Sequence, residues 1–400
     1  MPVAEALVFM RSQVNTVREA ERVPLPQALD RILAEPAIAA VSVPPQDNSA
    51  MDGYALRAQD TSARQPLAVI GTALAGHMSG SEVVAGTCVR IMTGGAIPAG
   101  ADCVVMQENT EVHGDTIIVT QAARRGENIR RSGEDILAGT EVIAAGRRLG
   151  PVDIALLASL GIAEVSVFRR LRVAVLSTGD ELIAPGHPLS PGQIYDSNRY
   201  GIVALLQRLA VDVIDLGLLP DQPAAIASAF ERVARDADAI ISSGGVSVGD
   251  ADFVKDIMAQ LGQINFWKVA IKPGKPFAFG TLGQSWFFGL PGNPVSAMVT
   301  LHQLTVPILR QMAGEQVEQP LMIRAKAAST FNKRPGRTDY QRSRLAVDNG
   351  AVTVRRTGNQ GSGVLTSFSD ANCYAVLEQD RDRVSEGEEV DILPFDRFLI

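Results

Sequence analysis

ADAIISSGGVSVGDADFVKDIMAQLG, residues 237–262, joins an apolar run, a turn of serines and glycines, and a second apolar pattern headed by carboxylates. The first part, ADAIISSGG, reads as a buried strand, and the last, DADFVKDIMAQLG, as a helix. The loop between them is neither of the familiar nucleotide loops. It lacks the G-x-G-x-x-G order of dinucleotide binders and the G-K-[ST] ending of a P-loop, and it holds no lysine.

The same alternation extends to both sides. RVAVLSTG (172–179) and VDVIDLG (211–217) read as strands. SNRYGIVALLQRLA (197–210), with Ser197 as N-cap, and QPAAIASAFERVARDA (222–237) read as helices. Nearly continuous apolar strands alternating with helices imply a doubly wound, mostly parallel α/β sheet covered on both faces. INFWKVAIKPG (264–274) reads as a further strand, FAFGTLGQSWFFGLPG (277–292) as a hairpin, and the chain from Pro294 to Met312 as a long helix.

Before residue 140 and after residue 314 the vocabulary changes to strands. Runs such as CVRIM (88–92), DCVVMQE (102–108) and DTIIVTQ (115–121) lie between turn signals and are flanked by short helical patterns with prolines at 23–39 and 146–161. An inserted β domain on an α/β stalk accounts for that symmetry. RTDYQRSRLAV, GAVTVRRTG and NCYAVLEQ form a smaller C-terminal β domain.

Composition narrows the function. The 400 residues, 46% hydrophobic and 20% charged, are those of a multi-domain globular protein, and no apolar run approaches the roughly 20 residues of a membrane helix. MPVAEALVFMRSQV lacks the basic start and cleavage site of a signal peptide, and Cys88, Cys103 and Cys373 are odd in number and far apart. A cytoplasmic protein with reduced, buried thiols is expected. With 37 basic and 44 acidic residues the net charge is -7, which excludes nucleic acid as a partner drawn in by a long-range field. His77, His113, His187 and His302 show no metal-ligand spacing, no G-x-S-x-G elbow is present, and His302 reads as a core histidine.

Ligands of open α/β sheets bind beyond the carboxyl ends of the strands. Here those ends read Ser177-Thr178-Gly179-Asp180-Glu181, Gly217 with Pro220-Asp221, Ser242-Ser243-Gly244-Gly245 with Asp250 and Asp252, Lys272-Pro273-Gly274-Lys275, and Leu290-Pro291-Gly292-Asn293-Pro294. Gly244, Gly245 and Gly249 leave backbone N–H groups open to phosphate oxygens, with Ser242 ahead of them and Ser247 among them. Lys268 and Lys272 are expected on one face of one strand, about 13 Å apart. Glu181, Asp221, Asp250 and Asp252 are hard oxygen donors of the kind Mg²⁺ uses beside substrate phosphates, although helix capping alone explains Asp250 or Asp252 equally well. The expected ligand is a small anion linked to a metal.

In the inserted region, PPQDNSAMDGYALR (44–57), RIMTGGAIPAGAD (90–102) and SGEDILAG (132–139) concentrate polar and turn residues beside the arginines 124, 125, 130 and 131. Turn chemistry accounts for any one of them taken singly.

DNSAMDGYA, RIMTGGAIPAGAD, GEDI, STGDEL, GQIYDSN, SSGGVSVGDAD, KPGKP and GLPGNPVSA follow one another along nearly the whole chain. In that order they resemble the MoeA family of molybdopterin molybdotransferases, to which the E domain of gephyrin belongs. One departure is Gly95-Ala96, where many relatives read Ala-Pro. The resemblance implies four domains: a stalk at 20–40 and 140–170, the inserted β domain at 41–139, the α/β molybdopterin-binding domain at 1–19 and 171–317, and a C-terminal β-barrel at 318–400. It also implies a homodimer with a shared active site, without the adaptor extension of the scaffold relatives. The implied reaction converts adenylylated molybdopterin and molybdate to molybdenum cofactor and AMP, with Mg²⁺. Matching motifs carry functional roles to Asp52, Thr93 and Asp135, to the carboxylates Glu181, Asp221 and Asp252 as metal side, and to Lys268, Lys272, Pro291 and Pro294; Lys275, Ser242, Gly244, Gly245, Ser247 and Gly249 line the phosphate side. Transient contact with other molybdenum-cofactor proteins is a further implied partnership. A molybdopterin-binding module without catalysis and a scaffold are the competing classes.

Overall fold

The computed structural model describes residues 1–77, 79–220, 222–244 and 262–399. Its largest core is built on a six-stranded sheet in the order Asp212–Leu219, Arg172–Thr178, Ala239–Ser243, Ser285–Leu290, Pro276–Leu282 and Gly262–Lys268. The first four strands are parallel, and Pro276–Leu282 runs antiparallel to both of its neighbours. Side-chain alternation explains why these strands are apolar throughout. Val173 and Val175 enter a cluster with Ala6, Met10, Ile202 and Leu205, whereas Ala174 and Leu176 enter one with Ile226, Phe230 and Val233. Helices Val3–Gln13 and Asn198–Arg208 therefore cover one face, and Pro223–Val233 covers the other.

The chain from Pro294 to Met312 is helical but not uniform. A π-turn at Leu301–Thr305 separates two α-helical segments, and His302 lies there, buried, against Asp396 at 3.1 Å. Ser197 makes no capping hydrogen bond, in contrast to the sequence expectation. The preceding residue does that work: the Asp196 carboxylate accepts the Arg199 N–H, and it is buried with the Ser177 hydroxyl donating to it at 3.1 Å.

Segments from both sides of the insertion pair with each other. Ala20–Pro24 pairs with Glu164–Phe168, and Ala37–Ile38 with Glu141–Ile143, around a cluster that includes Leu33, Leu149, Leu157 and Val167. The helical pattern at 23–39 yields only a 3-10 turn at Leu25–Gln27. Its prolines and short span leave no room for a cooperative helix.

The inserted sheet has the order Cys103–Met106, Gly53–Leu56, Thr87–Ile91, Leu67–Ala73, Thr116–Val119 and Thr110–His113. A Cβ on Gly53 would lie 1.9 Å from the Val105 carbonyl oxygen, so the close approach of those two strands requires glycine. Near the C-terminus, Thr338–Asp348, Ala351–Arg356, Ile323–Ala327, Glu389–Pro394 and Cys373–Leu377 close on themselves as a five-stranded barrel. All three cysteines are buried thiols, and burial pushes each up to about 12.

One buried charge cluster ties these parts together. Arg148 and Arg310 both pair with Glu315, at 2.7 and 2.6 Å, and both guanidinium groups lie over the Phe398 ring. Arg148 also donates to the carbonyls of Asp30 and Leu209. Burial raises the Glu315 carboxyl, but the two arginines outweigh it and hold the group below its ordinary value of 4.5. The stabilisation from that depressed pKa is complete above pH 4.5 and decays as pH falls through the lower native value. Glu315→Ala should lower unfolding stability by about 3–5 kcal/mol at neutral pH, because it strands a buried guanidinium. Chemical denaturation at a series of pH values checks this: the gap between variant and parent should shrink on acidification.

Candidate functional site

The carboxyl ends of Asp212–Leu219, Arg172–Thr178, Ala239–Ser243, Ser285–Leu290 and Gly262–Lys268 share one rim of the sheet. From Arg172–Thr178 the chain crosses one face through Asn198–Arg208 to reach Asp212–Leu219, and then crosses the other face through Pro223–Val233 to reach Ala239–Ser243. The reversal opens a crevice between Thr178 and Ser243. There the two loops touch. Gly244 adopts φ +90°, and a Cβ on it would lie 2.7 Å from the Thr178 carbonyl oxygen, so only glycine fits. Ser242 is buried, with its hydroxyl donating to the Gly244 carbonyl at 3.3 Å.

Glu181 is exposed at this rim, and its backbone carbonyl accepts the Ile194 N–H at 2.8 Å, which brings the GQIYDSN segment beside it. Pro291 is buried, and Pro294 opens the helix Pro294–Thr300. Lys268 and Lys275 are exposed, and Lys272 is half-buried.

The expectation of one strand carrying both Lys268 and Lys272 fails. The strand ends at Lys268, and Ile271–Lys272 pairs instead with Thr338 and Asp339 of the C-terminal barrel. Lys272 Nζ donates to Asp339 Oδ2 at 2.9 Å. The sheet edge is thus exchanged for a second domain within three residues.

The three polar stretches of the inserted region meet. Gly94 N–H donates to Ser49 O, Ile97 N–H to Asp47 O, and Asn48 pairs with Arg130. Asp47 accepts the Ser132 N–H at 2.8 Å and the Arg131 guanidinium at 2.6 Å. Asp135, exposed, follows in the same loop, with its N–H on Val43 O. At the centre, Asp52 Oδ1 accepts both the Thr93 N–H and the Thr93 hydroxyl, each at 2.7 Å. The backbone bond first, and the hydroxyl second, hold the Asp52 carboxyl below the ordinary carboxylate value. All these bonds stay within the inserted sheet and its loops.

Comparison with known proteins places this arrangement. The model of the MoeA N-terminal region (domains I and II) matches residues 1–161, a probable molybdopterin-binding domain matches 174–311, and the MoeA C-terminal region (domain IV) matches 324–395. The chain is 48% identical over 393 residues to a molybdopterin molybdenumtransferase of Haemophilus influenzae, covering 98% of this chain and 97% of that one. A Nostoc protein of the same name is 35% identical over 95% of this chain and 90% of its own. The chain belongs to the MoeA family. A crystal structure of a molybdopterin biosynthesis moeA protein from Pyrococcus horikoshii superposes with a TM-score of 0.85 at 31% identity, over 99% of this chain and 100% of that one.

Of the positions that the MoeA resemblance singles out, Asp221, Gly245, Ser247, Gly249 and Asp252 lie outside the described residues, as does Asp250. Sequence reasoning missed Asn198, whose side-chain amide donates to Ser243 Oγ and to Gly292 O, both at 2.8 Å, and so ties two rim loops together. Its only signal was its place in the GQIYDSN string. The barrel was expected, but not its contact with the rim: Val295 N–H, at the head of the rim helix, donates to Ser362 O, so the loop around 358–363 reaches that helix.

Thr93→Val removes one of the two bonds to Asp52 and keeps the other. The Asp52 carboxyl should therefore titrate at higher pH than in the parent but still below an unperturbed aspartate. Carbon-detected NMR titration of that carboxyl reads the shift directly, and an unchanged pKa would show that the hydroxyl does not hold the charge.

Proposed function

We propose that this chain inserts molybdenum into adenylylated molybdopterin and releases AMP, as a molybdopterin molybdenumtransferase of molybdenum cofactor biosynthesis in the cytoplasm. The observation that carries this reading is the 48% identity, over almost the full length of both chains, to a protein of that name. The rim supports it chemically. One substrate bears a pyrophosphate and the other is an oxyanion, and Lys268, Lys272 and Lys275 lie on the connection from 268 to 275, which leaves the sheet at its carboxyl-end rim.

The chain's own groups bind and orient. Lysine ammonium groups meet the phosphate and molybdate oxygens, and the tight turn at Gly244 lets the backbone approach them. In the reaction water cleaves the phosphoanhydride bond of the adenylate, giving AMP and the molybdopterin phosphate, and the two dithiolene sulfurs bind molybdate as one of its oxygens leaves as water with the two thiol protons. No helix among the described residues is long and apolar enough to cross a membrane.

Mg²⁺ belongs to this proposal. Glu181 offers an exposed carboxylate at the rim, and Asp221 and Asp252, outside the described residues, follow the adjacent strands in sequence. Among the described residues no three acidic, histidine or cysteine groups gather into a metal site, so Glu181 needs those two partners. A bound divalent cation would neutralise phosphate oxygens and act as a Lewis acid. A homodimer, in which the Asp52 and Thr93 loops of one subunit face the rim of the other, completes the proposed site, with transient hand-over to other molybdenum-cofactor proteins.

Purified protein should release AMP from adenylylated molybdopterin only when molybdate and Mg²⁺ are both present. Glu181→Gln, still folded, should slow that release by about 100-fold, the range in which displaced charge stabilisation is felt. Tight binding of the adenylylated substrate with no AMP formed under any condition would identify a binding module instead.

A further inference from the structure

The Lys272 ammonium is held by a residue 67 positions away, on another domain. Asp339 is 2% exposed, and its Oδ2 receives Lys272 Nζ at 2.9 Å and Gln341 Nε2 at 3.0 Å. The backbone fixes the approach as well: Lys272 pairs with Asp339 in register, and Thr338 N–H donates to Ala270 O at 2.8 Å. The two partners differ in exposure. The carboxylate is enclosed, whereas the lysine side chain keeps 35% of its surface open.

A second cation adjoins the same carboxylate. Lys333, buried, directs its ammonium to the carbonyls of Arg337 and Gln379, both at 2.9 Å. Its pKa is lowered, first by burial; attraction to Asp339 opposes that shift and repulsion from Lys272 adds to it. The Asp339 carboxylate is thus hydrogen-bonded to the Lys272 ammonium and attracts that of Lys333 at longer range, with Asp380 and Glu378 adding to that attraction. A lysine is a compact charge on a flexible four-carbon stem, so an anion that it binds unassisted must also order the stem. Asp339 orders it beforehand and leaves donors of the ammonium open.

We propose that Asp339 is a positioning residue that holds the Lys272 ammonium at the rim for an anionic group of the substrate, so that the C-terminal barrel takes part in the crevice. This rests on reading the rim as the substrate crevice. The role belongs to the pair: without Lys272, Asp339 has nothing to contribute to binding.

The test compares the full chain with Asp339→Asn, Asp339→Glu, Lys272→Met and the double variant Asp339→Asn/Lys272→Met. Affinity for adenylylated molybdopterin, AMP release and melting temperature are measured for each. Asp339→Asn and Lys272→Met should each weaken binding by about 10-fold, and the double variant should be no weaker than Lys272→Met alone, because the two changes remove one shared interaction. Asp339→Glu should recover most of the affinity. Losses that multiply in the double variant, or a lowered melting temperature with unchanged affinity, would overturn the proposal and leave a purely structural ion pair. Full affinity in Lys272→Met would overturn it through the lysine. The binding arm is independent of turnover: a parent that binds the substrate without forming AMP refutes the transferase reading while these comparisons still decide the role of Asp339. A parent that does not bind it refutes both.

Discussion

A sheet covered on both faces has no room for open polar groups along its strands. Arg172–Thr178 shows the constraint at its strictest, since Val173 and Val175 belong to one core and Ala174 and Leu176 to another. Ser177, a polar residue buried within this strand, donates its hydroxyl to the buried Asp196. Solvent-facing chemistry is therefore displaced to the places where strands stop. Beside Arg172–Thr178 the crossover connections part in opposite directions, the switch point at which open α/β sheets take ligands, and glycine at 244 sets how near the two loops come there.

Such a crevice is only as well defined as the elements that border it, and three of the borders come from distant parts of the chain. Asn198 bonds the loop after Ser243 to the loop after Leu290. Ser362, from the barrel, receives the first free N–H of the helix at Pro294. Lys272 pairs with barrel residue Asp339. Arg148, Arg310 and Glu315 do the corresponding work between the stalk and the α/β core, where the two cations share one buried carboxylate and one aromatic ring. Each joint uses charge or backbone polarity where an apolar contact would allow sliding.

The parts of this architecture that repeat with a short period were legible in the sequence. Alternating apolar runs located the strands of the α/β sheet and the helices at Asn198–Arg208 and Pro223–Val233, whereas the helix read from DADFVKDIMAQLG lies outside the described residues; the turn at Gly283 was evident from the two aromatic runs around it. What escaped had no local signature. Ser197 carries the right chemistry for a cap, yet Asp196 supplies it, because the aspartate must also satisfy Ser177. Lys268 and Lys272 have the spacing of one strand face, yet the chain leaves the sheet between them to pair with the barrel. The family resemblance assigned roles to Asp52, Thr93 and Asp135, but the meeting of the stretches at 44–57, 90–102 and 132–139 was not foreseen, since turn chemistry alone gives no reason to bring them together. Asp339 gave no sign at all, since an ion pair across 67 positions leaves no spacing to detect.

The charge of the whole chain and the charge of the rim act over different distances. A net charge of -7 on 400 residues gives no attraction for a polyanion. Screening at physiological salt confines most surface interactions to about 8 Å, so a small anion inside the crevice responds mainly to the groups within that range. On the proposed reading the lysines of the connection from 268 to 275 supply them, and one of these, Lys272, is held by the buried carboxylate of Asp339. Under that reading a chain that is net negative overall binds a small anion through ammonium groups held locally.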